Sequence, residues 1–176
     1  DVSWDFRTLR MDVQDEYSSL AERDDAVESM RELAENGDIH AQYFMGELYR
    51  DGPLLPPDWV MARYWFDKAA KQGYVAAQYA LGKLYLSDDA SVHDPELGIQ
   101  WLEYAAYNGN HDASYRLGKE YLKGESVRRD TRKAMDHIYT SAQAGNLHAQ
   151  YLLGKLLLQG KAVERDKEAG IQWLSQ

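Results

Sequence analysis

The sequence contains no cysteine, which excludes a disulfide framework, a thiol nucleophile and any thiolate-bound metal. It contains no run of about 18 uncharged apolar residues, so no segment has the composition of a membrane span. No apolar stretch follows a basic N-terminus, as it does in a signal peptide. Basic residues are fewer than acidic ones, and the net charge of −9 argues against a general binder of nucleic-acid backbones. We therefore expect a cytoplasmic protein with no direct nucleic-acid partner and no membrane contact.

The chain does carry a strong internal repeat, in which one pattern recurs four times at an interval of 36 residues. Six columns are identical in all four copies, and this agreement in register excludes coincidence. These columns are Gly37, Gly73, Gly109 and Gly145; Ala41, Ala77, Ala113 and Ala149; Tyr43, Tyr79, Tyr115 and Tyr151; Gly46, Gly82, Gly118 and Gly154; Asp58, Asp94, Asp130 and Asp166; and Ala34, Ala70, Ala106 and Ala142. The sequence therefore predicts an array of similar structural units.

Each copy is predicted to form two helices. Apolar residues of the first helix, near residues 39 to 50 in the first copy, recur at helical spacing rather than in strand alternation. The second helix begins at the aspartate column, whose side chains can cap the free amide groups of a first turn. It ends at the glycine of the Gly73 column, because glycine readily adopts the left-handed conformation that terminates helices. Such helix pairs bury their apolar stripes only by stacking on neighbouring pairs.

The glycine column that begins at Gly46 lies inside the first helix. Glycine costs about 1 kcal/mol of helix propensity there relative to alanine. Its return in every copy requires a packing reason, and we predict that a neighbouring helix approaches closely at this position.

The first copy reads A-x-Y-x-[LM]-G-x-x-Y from Ala41 to Tyr49, and later copies continue with G-x-x-V-x-x-D-x-x-K-A. This pattern resembles the Sel1-like repeat family, a branch of the tetratricopeptide-like helical solenoids, over about residues 37 to 176. The resemblance implies an all-α fold, a right-handed superhelical solenoid of antiparallel helix pairs with a concave side. It also implies a non-enzymatic adaptor that binds other proteins and uses no cofactor. Gly98 and Gly170 depart from the family pattern, which usually has alanine there.

The repeats are predicted to occupy residues 37–72, 73–108, 109–144 and 145–176, the last of them truncated. Residues 22–36 are predicted to form a degenerate capping helix, because their apolar residues match buried columns of the repeat. Residues 1–21 form an N-terminal extension, either a tail or extra cap, or a strand-like segment in the alternating VSWDF stretch. Since the chain starts at Asp1 and the last helix stops early, we expect a longer protein, or self-association through the truncated C-terminal helix.

A partner-binding surface is predicted on the first helices, which line the concave side in related solenoids. Residues 40, 44, 47 and 51 form a stripe opposite the buried face of the first copy, with the tyrosine column at its edge. Tyrosine offers a rigid face with a polar tip, which favours a peptide or protein partner. The positive charge of the lysines favours an acidic partner. The predicted partner-binding residues are Tyr43, Glu47, Tyr79, Lys83, Tyr115, Lys119, Tyr151 and Lys155, within a wider surface that adds His40, Phe44, Arg116 and His148.

Three alternatives stay open on sequence alone. The tyrosines can brace adjacent helices instead of contacting a partner. The array can be the accessory repeat domain of a larger bacterial enzyme, such as a conjugative relaxase. It can also bind or hydrolyse β-lactams or cell-wall peptides, but proteins of the family proposed to do so have disulfide-stapled hairpins, and this chain has no cysteine.

Signals for catalysis or metal binding are weak. The five histidines show no ligand spacing such as H-E-x-x-H, and neither a G-x-S-x-G motif nor a phosphate-binding loop occurs. The aspartate column at residues 58, 94, 130 and 166 could be mistaken for a catalytic set, but N-capping explains all four. We predict no catalytic residue, no metal site and no enzyme activity.

Overall fold

The structure, a computed structural model, describes residues 5–160 and 162–175, and this part of the chain contains ten α-helices and no strand. The predicted all-α class of paired helices is confirmed. None of the described helices combines the length and the apolar character that crossing a membrane requires. The helices are α1 Phe6–Gln14, α2 Leu20–Glu35, α3 Ile39–Asp51, α4 Trp59–Lys71, α5 Val75–Leu86, α6 Pro95–Tyr107, α7 His111–Lys123, α8 Thr131–Gln143, α9 Leu147–Gln159 and α10 Lys167–Leu174.

The described residues divide into two compact units. The first unit contains the described residues up to Leu81 together with Asp89–Val92. The second contains Gly82–Asp88 and the described residues from His93 onward, so the division falls within α5.

In the first unit, α1 packs on α2, α2 packs on α3, and α3 packs on α4. The facing sides of these helices share one hydrophobic core. Met30 of α2 and Met45 of α3 are completely buried in it, and Trp65 of α4 is almost so. Each of these residues belongs to the apolar face of its helix, where apolar residues recur at helical spacing.

Helix α1 lies in the stretch that the sequence analysis assigned to an N-terminal extension. Asp5 caps this helix by accepting a hydrogen bond from the Thr8 amide at 2.9 Å, and Phe6 is its first residue. The strand-like alternative is therefore wrong for Phe6, whereas Asp5 has the extended backbone of a helix cap. Residues 2–4 of the VSWDF stretch lie outside the described residues. Leu9 and Val13, both buried, precede Met45 and Tyr49 by 36 residues, so α1 repeats the apolar spacing of a first helix. Helix α2 covers the stretch expected to be a capping helix; its role as a cap stays a prediction.

In the second unit, α6 packs on α7, α7 on α8, α8 on α9, and α9 on α10. Ile138 and Ala142 of α8 meet Leu153 and Leu157 of α9 in a core where these side chains are at most 3% exposed. The second helix of one copy therefore buries its stripe against the first helix of the next, as stacking of repeats requires.

The aspartate column begins the second helix of every copy. Its four side chains accept hydrogen bonds from backbone amides three residues further on, at 3.0 to 3.2 Å. The backbone amides of the same aspartates donate to carbonyl oxygens near the end of the preceding helix, at 2.8 to 3.1 Å. The capping role predicted for Asp58, Asp94, Asp130 and Asp166 is confirmed, and each residue also closes the loop between its two helices.

The two glycine columns have different structural roles. Gly73 has a φ of +95° and open space where a Cβ would be, so it ends α4 through its backbone conformation. At Gly82, a Cβ would lie 2.8 Å from Leu102 Cγ and 3.1 Å from the Gly98 carbonyl oxygen. The predicted close approach of helices at this column is confirmed.

The same contact explains the two departures from the family pattern. A Cβ at Gly98 would lie 3.0 Å from the Gly82 carbonyl oxygen and 2.9 Å from Leu86 Cγ. Gly170 has the same relation to the Gly154 carbonyl oxygen, at 3.0 Å, and to Leu158. Alanine at either position would force the neighbouring leucine side chain or the facing helix backbone to shift, because its Cβ would lie 2.9 to 3.0 Å from both.

Candidate partner-binding surface

Two tyrosine and lysine pairs lie on the first helices of the second unit. On α7, the Lys119 ammonium lies 4.7 Å from the centre of the Tyr115 ring. On α9, the Lys155 ammonium lies 5.4 Å from the centre of the Tyr151 ring. The spacing of four residues puts each lysine one turn after its tyrosine on the same face of the helix. Each pair forms a cation–π contact that holds a positive charge over an aromatic ring.

His148 joins the two helices at this surface. Its ring stacks on Tyr115 with a centroid distance of 5.7 Å and an interplanar angle of 23°. Tyr115 is half-buried as a result, whereas Tyr151 remains 60% exposed. The structure thus brings Tyr115, Lys119 and His148 together.

Arg116 belongs to the wider predicted surface, but its guanidinium group is already occupied. Its Nε donates a hydrogen bond to the Glu120 carboxylate at 2.9 Å, within the same helix. Glu120 is buried, so this ion pair neutralises a carboxylate that would otherwise be costly to bury. Arg116 therefore stabilises α7 and offers little to a partner.

In the first unit, Tyr43 is braced by aromatic neighbours. Its ring centre lies 5.0 Å from that of Tyr74 and 5.6 Å from that of Phe66. Burial raises the pKa of Tyr43 above its ordinary value. His40 also contacts Tyr74, at 5.3 Å between ring centres. These contacts support the bracing alternative at Tyr43.

Phe44 was predicted to lie on the exposed stripe, and this prediction is wrong. Its side chain is only 5% exposed. The Phe6 ring of α1 lies against it edge to face, with 5.9 Å between ring centres. Residues 1–21 lie outside the 36-residue pattern and are predicted to be an extension, so the pattern gives no sign that α1 covers this residue.

The remaining predicted residues are half-buried. Tyr79 and Lys83 lie on α5, and Glu47 lies on α3. Burial raises the pKa of Glu47, and its nearest cation is Arg50, whose Nη2 lies 4.0 Å from the carboxylate. The assignment of these residues to a partner surface stays a prediction.

A column of buried glutamines, which was not among the predicted residues, holds the repeats together. The side-chain amides of Gln42, Gln78 and Gln150 donate hydrogen bonds to carbonyl oxygens at the end of the preceding second helix, at 3.1 to 3.2 Å. Each of these residues directly precedes a tyrosine of the first tyrosine column, so the 36-residue spacing was the available signal. The third copy has Ser114 at this position, also buried.

Tyr49 and Tyr121, which occupy the same position of the first and third copies, also brace neighbouring helices. Tyr49 accepts a hydrogen bond from Arg31 at 2.6 Å, and Tyr121 donates one to Glu103 at 2.6 Å. His137 stacks on Tyr121 with its ring almost parallel, and its Nε2 lies 3.4 Å from the Glu103 carboxylate. The hydrogen bond with His137 lowers the pKa of Glu103, while burial and the Glu103 hydrogen bond raise the pKa of Tyr121.

We expect this cluster to make stability fall at alkaline pH. Because the raised pKa favours neutral Tyr121 in the folded state, its contribution is complete below the ordinary tyrosine pKa of about 10 and is lost as the pH rises above it. Urea unfolding at a series of pH values from about 8 to 11 measures the effect. The free energy of unfolding should fall more steeply for the wild type than for Tyr121→Phe, which cannot ionise. Parallel pH profiles for the two proteins would contradict this expectation.

Within the described residues, no group of three or more His, Asp or Glu side chains is arranged to hold a metal ion. Four of the five histidines have other side-chain contacts, that of His40 being with Tyr74. His93 Nδ1 lies 2.6 Å from the Ser87 carbonyl oxygen, and His137 and His148 stack on tyrosines.

A family model described as the Sel1 repeat matches four segments, residues 39–74, 75–110, 111–146 and 147–176. No match is found among curated proteins. One similar solved structure is a protective antigen present in uropathogenic Escherichia coli strains, described as displaying an SLR fold. It is 29% identical to this chain, with a TM-score of 0.81. The match covers 97% of this chain and 36% of that one. Another is a Sel1 repeat protein from Oxalobacter formigenes, 26% identical with a TM-score of 0.74, where the match covers 87% of this chain and 61% of that one. This chain therefore spans between one third and two thirds of the length of these two relatives.

Proposed function

Because this chain belongs to the Sel1 repeat family, we propose that it is a non-enzymatic scaffold that binds a protein or peptide partner through the exposed side of its first helices. The binding surface of the second unit consists of Tyr115 and Lys119 on α7 together with His148, Tyr151 and Lys155 on α9. The partner segment is acidic. The protein works in the cytoplasm, in keeping with a chain that has no cysteine.

The observation that carries this proposal is the pairing of Lys119 with Tyr115 and of Lys155 with Tyr151. A lysine held over an aromatic ring loses less side-chain entropy when a carboxylate binds it, so each pair is partly preorganised. Lys119, Tyr151 and Lys155 are exposed, so an approaching partner can reach them. Tyrosine beside a cation provides apolar contact area and a hydrogen-bonding tip, a combination common at the centres of protein interfaces.

The polar residues that recur through the chain have structural partners, which supports a scaffold rather than an enzyme. The aspartate column caps helices, the buried glutamines bond to helix ends, and Tyr121 bonds to Glu103. As the chain spans about one third of its Escherichia coli relative, an accessory role within a larger protein is compatible with this proposal. Family members proposed to bind or hydrolyse β-lactams have hairpins stapled by disulfides. Because this chain has no cysteine, we do not propose that activity for it.

Self-association through α10 is kept as a secondary proposal. Ile171 is 48% exposed, while Met135, the residue 36 positions earlier, is 8% exposed. Leu174 is 37% exposed, while Ile138 in the same column is fully buried. The stripe that other second helices bury is therefore accessible on α10 to a second copy.

Selection from a library of random displayed peptides tests the charge preference of the proposed surface. We expect the wild-type chain to enrich peptides rich in Asp and Glu, because two or more lysines of the surface attract them. Lys119→Glu should abolish this enrichment and select neutral or basic peptides, since the substitution reverses the charge beside Tyr115.

The matched control is Arg132→Glu, which makes the same change of charge at an exposed residue of α8 in the same unit. It should leave the acidic enrichment in place. Melting curves of the two variants should coincide with that of the wild type. Enrichment that is unchanged in Lys119→Glu, or lost equally in Arg132→Glu, would count against the proposed surface.

A further inference from the structure

A groove on the first unit follows the exposed face of α4, a second helix of the repeat. Its volume is about 450 Å³. Tyr64, Lys68 and Lys71 are exposed and lie about one turn apart along the same face of the helix. The lining residues are Gln42 of α3 and, on α4 or directly after it, Tyr64, Asp67, Lys68, Lys71 and Gln72. The groove therefore combines an aromatic ring with two ammonium groups.

Two glutamines hold the shape of this groove. The side-chain amide of Gln72 donates hydrogen bonds to Gln42 Oε1 at 2.7 Å and to the Gly37 carbonyl oxygen at 3.2 Å. The side-chain amide of Gln42 in turn donates to the Ala34 carbonyl oxygen at 3.1 Å. These bonds join the end of α4 to α3 and to the end of α2. Because the groove is already formed, a partner spends less free energy on ordering it.

Lys68 carries the charge of the groove that no acid neutralises. Asp67 is the carboxylate among the described residues that line the groove, and it lies 2.8 Å from the Lys71 ammonium. No carboxylate of the described residues lies within ion-pair distance of the Lys68 ammonium, which instead lies 5.0 Å from the centre of the Tyr64 ring. A carboxylate that enters the groove is therefore attracted by Lys68, whereas a basic side chain is repelled.

The pair of Tyr64 and Lys68 is not part of the repeat. The second and third copies have Gln100 and Asp136 in the column of Tyr64, and no later copy has a basic residue in the column of Lys68. Packing of the array therefore does not require this pair. Its spacing of four residues and its cation–π contact are those of the pairs on α7 and α9. An exposed pair that packing does not require is accessible to a partner.

We propose that this groove is a second contact site for an acidic segment of a partner protein, in which an Asp or Glu carboxylate binds Lys68. An apolar side chain beside that acid packs on the Tyr64 ring, which provides apolar area next to the charge. The site lies on a second helix of the first unit, so it goes beyond the surface proposed on α7 and α9. With one uncompensated lysine it binds too weakly to enrich displayed peptides by itself.

Amide-resolved NMR titration of the whole chain with short capped peptides tests the groove directly. The probe is acetyl-Gly-Leu-Glu-Leu-Gly-amide, the comparison peptides have glutamine or lysine in place of the glutamate, and acetate supplies a free carboxylate. We expect chemical-shift changes at residues 64–72, with an affinity there about fivefold higher for the glutamate peptide than for the glutamine peptide, the upper range for an exposed ion pair. The lysine peptide and acetate should leave these residues unchanged.

The variant Lys68→Gln should lower the affinity at residues 64–72 about fivefold, to that of the glutamine peptide, and leave the shifts on α7 and α9 in place. The reciprocal variant Lys119→Gln should weaken binding on α7 without changing residues 64–72, so the failure of either site is recognised separately. Both lysines are exposed, so both variants should melt with the wild type.

Three results for the wild-type chain would overturn the proposal without any variant. The first is equal affinity of the glutamate and glutamine peptides at residues 64–72. The second is a set of shifts confined to α7 and α9, which would leave the surface proposed there intact. The third is an equal response to acetate or to the lysine peptide, which would show that the groove does not select an acidic segment.

Discussion

Replacing Gly118 with leucine should produce the largest loss of stability of any single substitution considered for this protein. A Cβ at this position would lie 3.1 Å from Ile138 Cδ1 and 3.2 Å from the Ala134 carbonyl oxygen, and it would also collide with Ile138 Cγ1. Ile138 is completely buried, and the Ala134 carbonyl belongs to the backbone of α8, so neither can move aside cheaply. We expect Gly118→Leu to lose at least about 3 kcal/mol of stability and roughly 6–12 °C of melting temperature, or to leave the second unit unfolded.

The control for this experiment is Lys119→Leu, the same new side chain one residue further along α7. Lys119 is exposed, so its replacement should change stability by no more than about 0.5 kcal/mol. Circular dichroism melting and urea titration of both variants measure the difference. Equal melting temperatures of Gly118→Leu and Lys119→Leu would contradict the prediction. They would show that Gly118 is not needed for the close approach of α7 and α8.

Truncating Phe66 to alanine should have the second largest effect. Phe66 is completely buried, and its ring fills the space beside Gly46, where a Cβ would lie 2.5 Å from Phe66 Cδ1. The ring also contacts Tyr43, and the Arg50 guanidinium group lies 5.4 Å from its centre. Since Gly46 has no side chain that can fill the cavity, we expect Phe66→Ala to cost about 3–5 kcal/mol in urea unfolding.

Two further variants make this prediction specific. Tyr64→Ala removes an aromatic ring that is 48% exposed on the same helix, and it should cost less than about 1 kcal/mol. Gly46→Ala should destabilise the wild type, yet be neutral or stabilising in the Phe66→Ala background, because the truncation vacates the space that the new methyl group needs. Additive effects of the Gly46 and Phe66 substitutions would refute the direct contact between them.

Part of the candidate surface could be predicted from the sequence, and the burial of Phe44 shows why the rest could not. The columns identified Tyr115, Lys119, Tyr151 and Lys155 as residues of one helix face, and the structure brings each tyrosine together with its lysine. The columns could not predict that Phe44 is buried, because the residue that covers it belongs to α1. Only two apolar residues of that helix, Leu9 and Val13, match positions of the repeat. Two matches are too few for the repeat pattern to predict the helix.

Members of one column also differ in their surroundings. Tyr43 packs on Tyr74, Tyr115 stacks on His148, and Tyr151 is largely exposed. The tyrosine is the same in each copy, but the neighbour comes from a variable position of the next copy. Bracing and binding are therefore not exclusive alternatives for the column as a whole.

The sequence by itself determined the repeat, its helix boundaries and its points of close packing. Helix caps, terminating glycines and apolar spacing act over a few residues, and the 36-residue period repeats them in register. Only the tertiary structure decided which members of a column are covered and where the glutamines bond. Those outcomes depend on side chains supplied by other helices. The 36-residue repeat indicates which residues share a helix face, but it does not indicate which residues pack against that face.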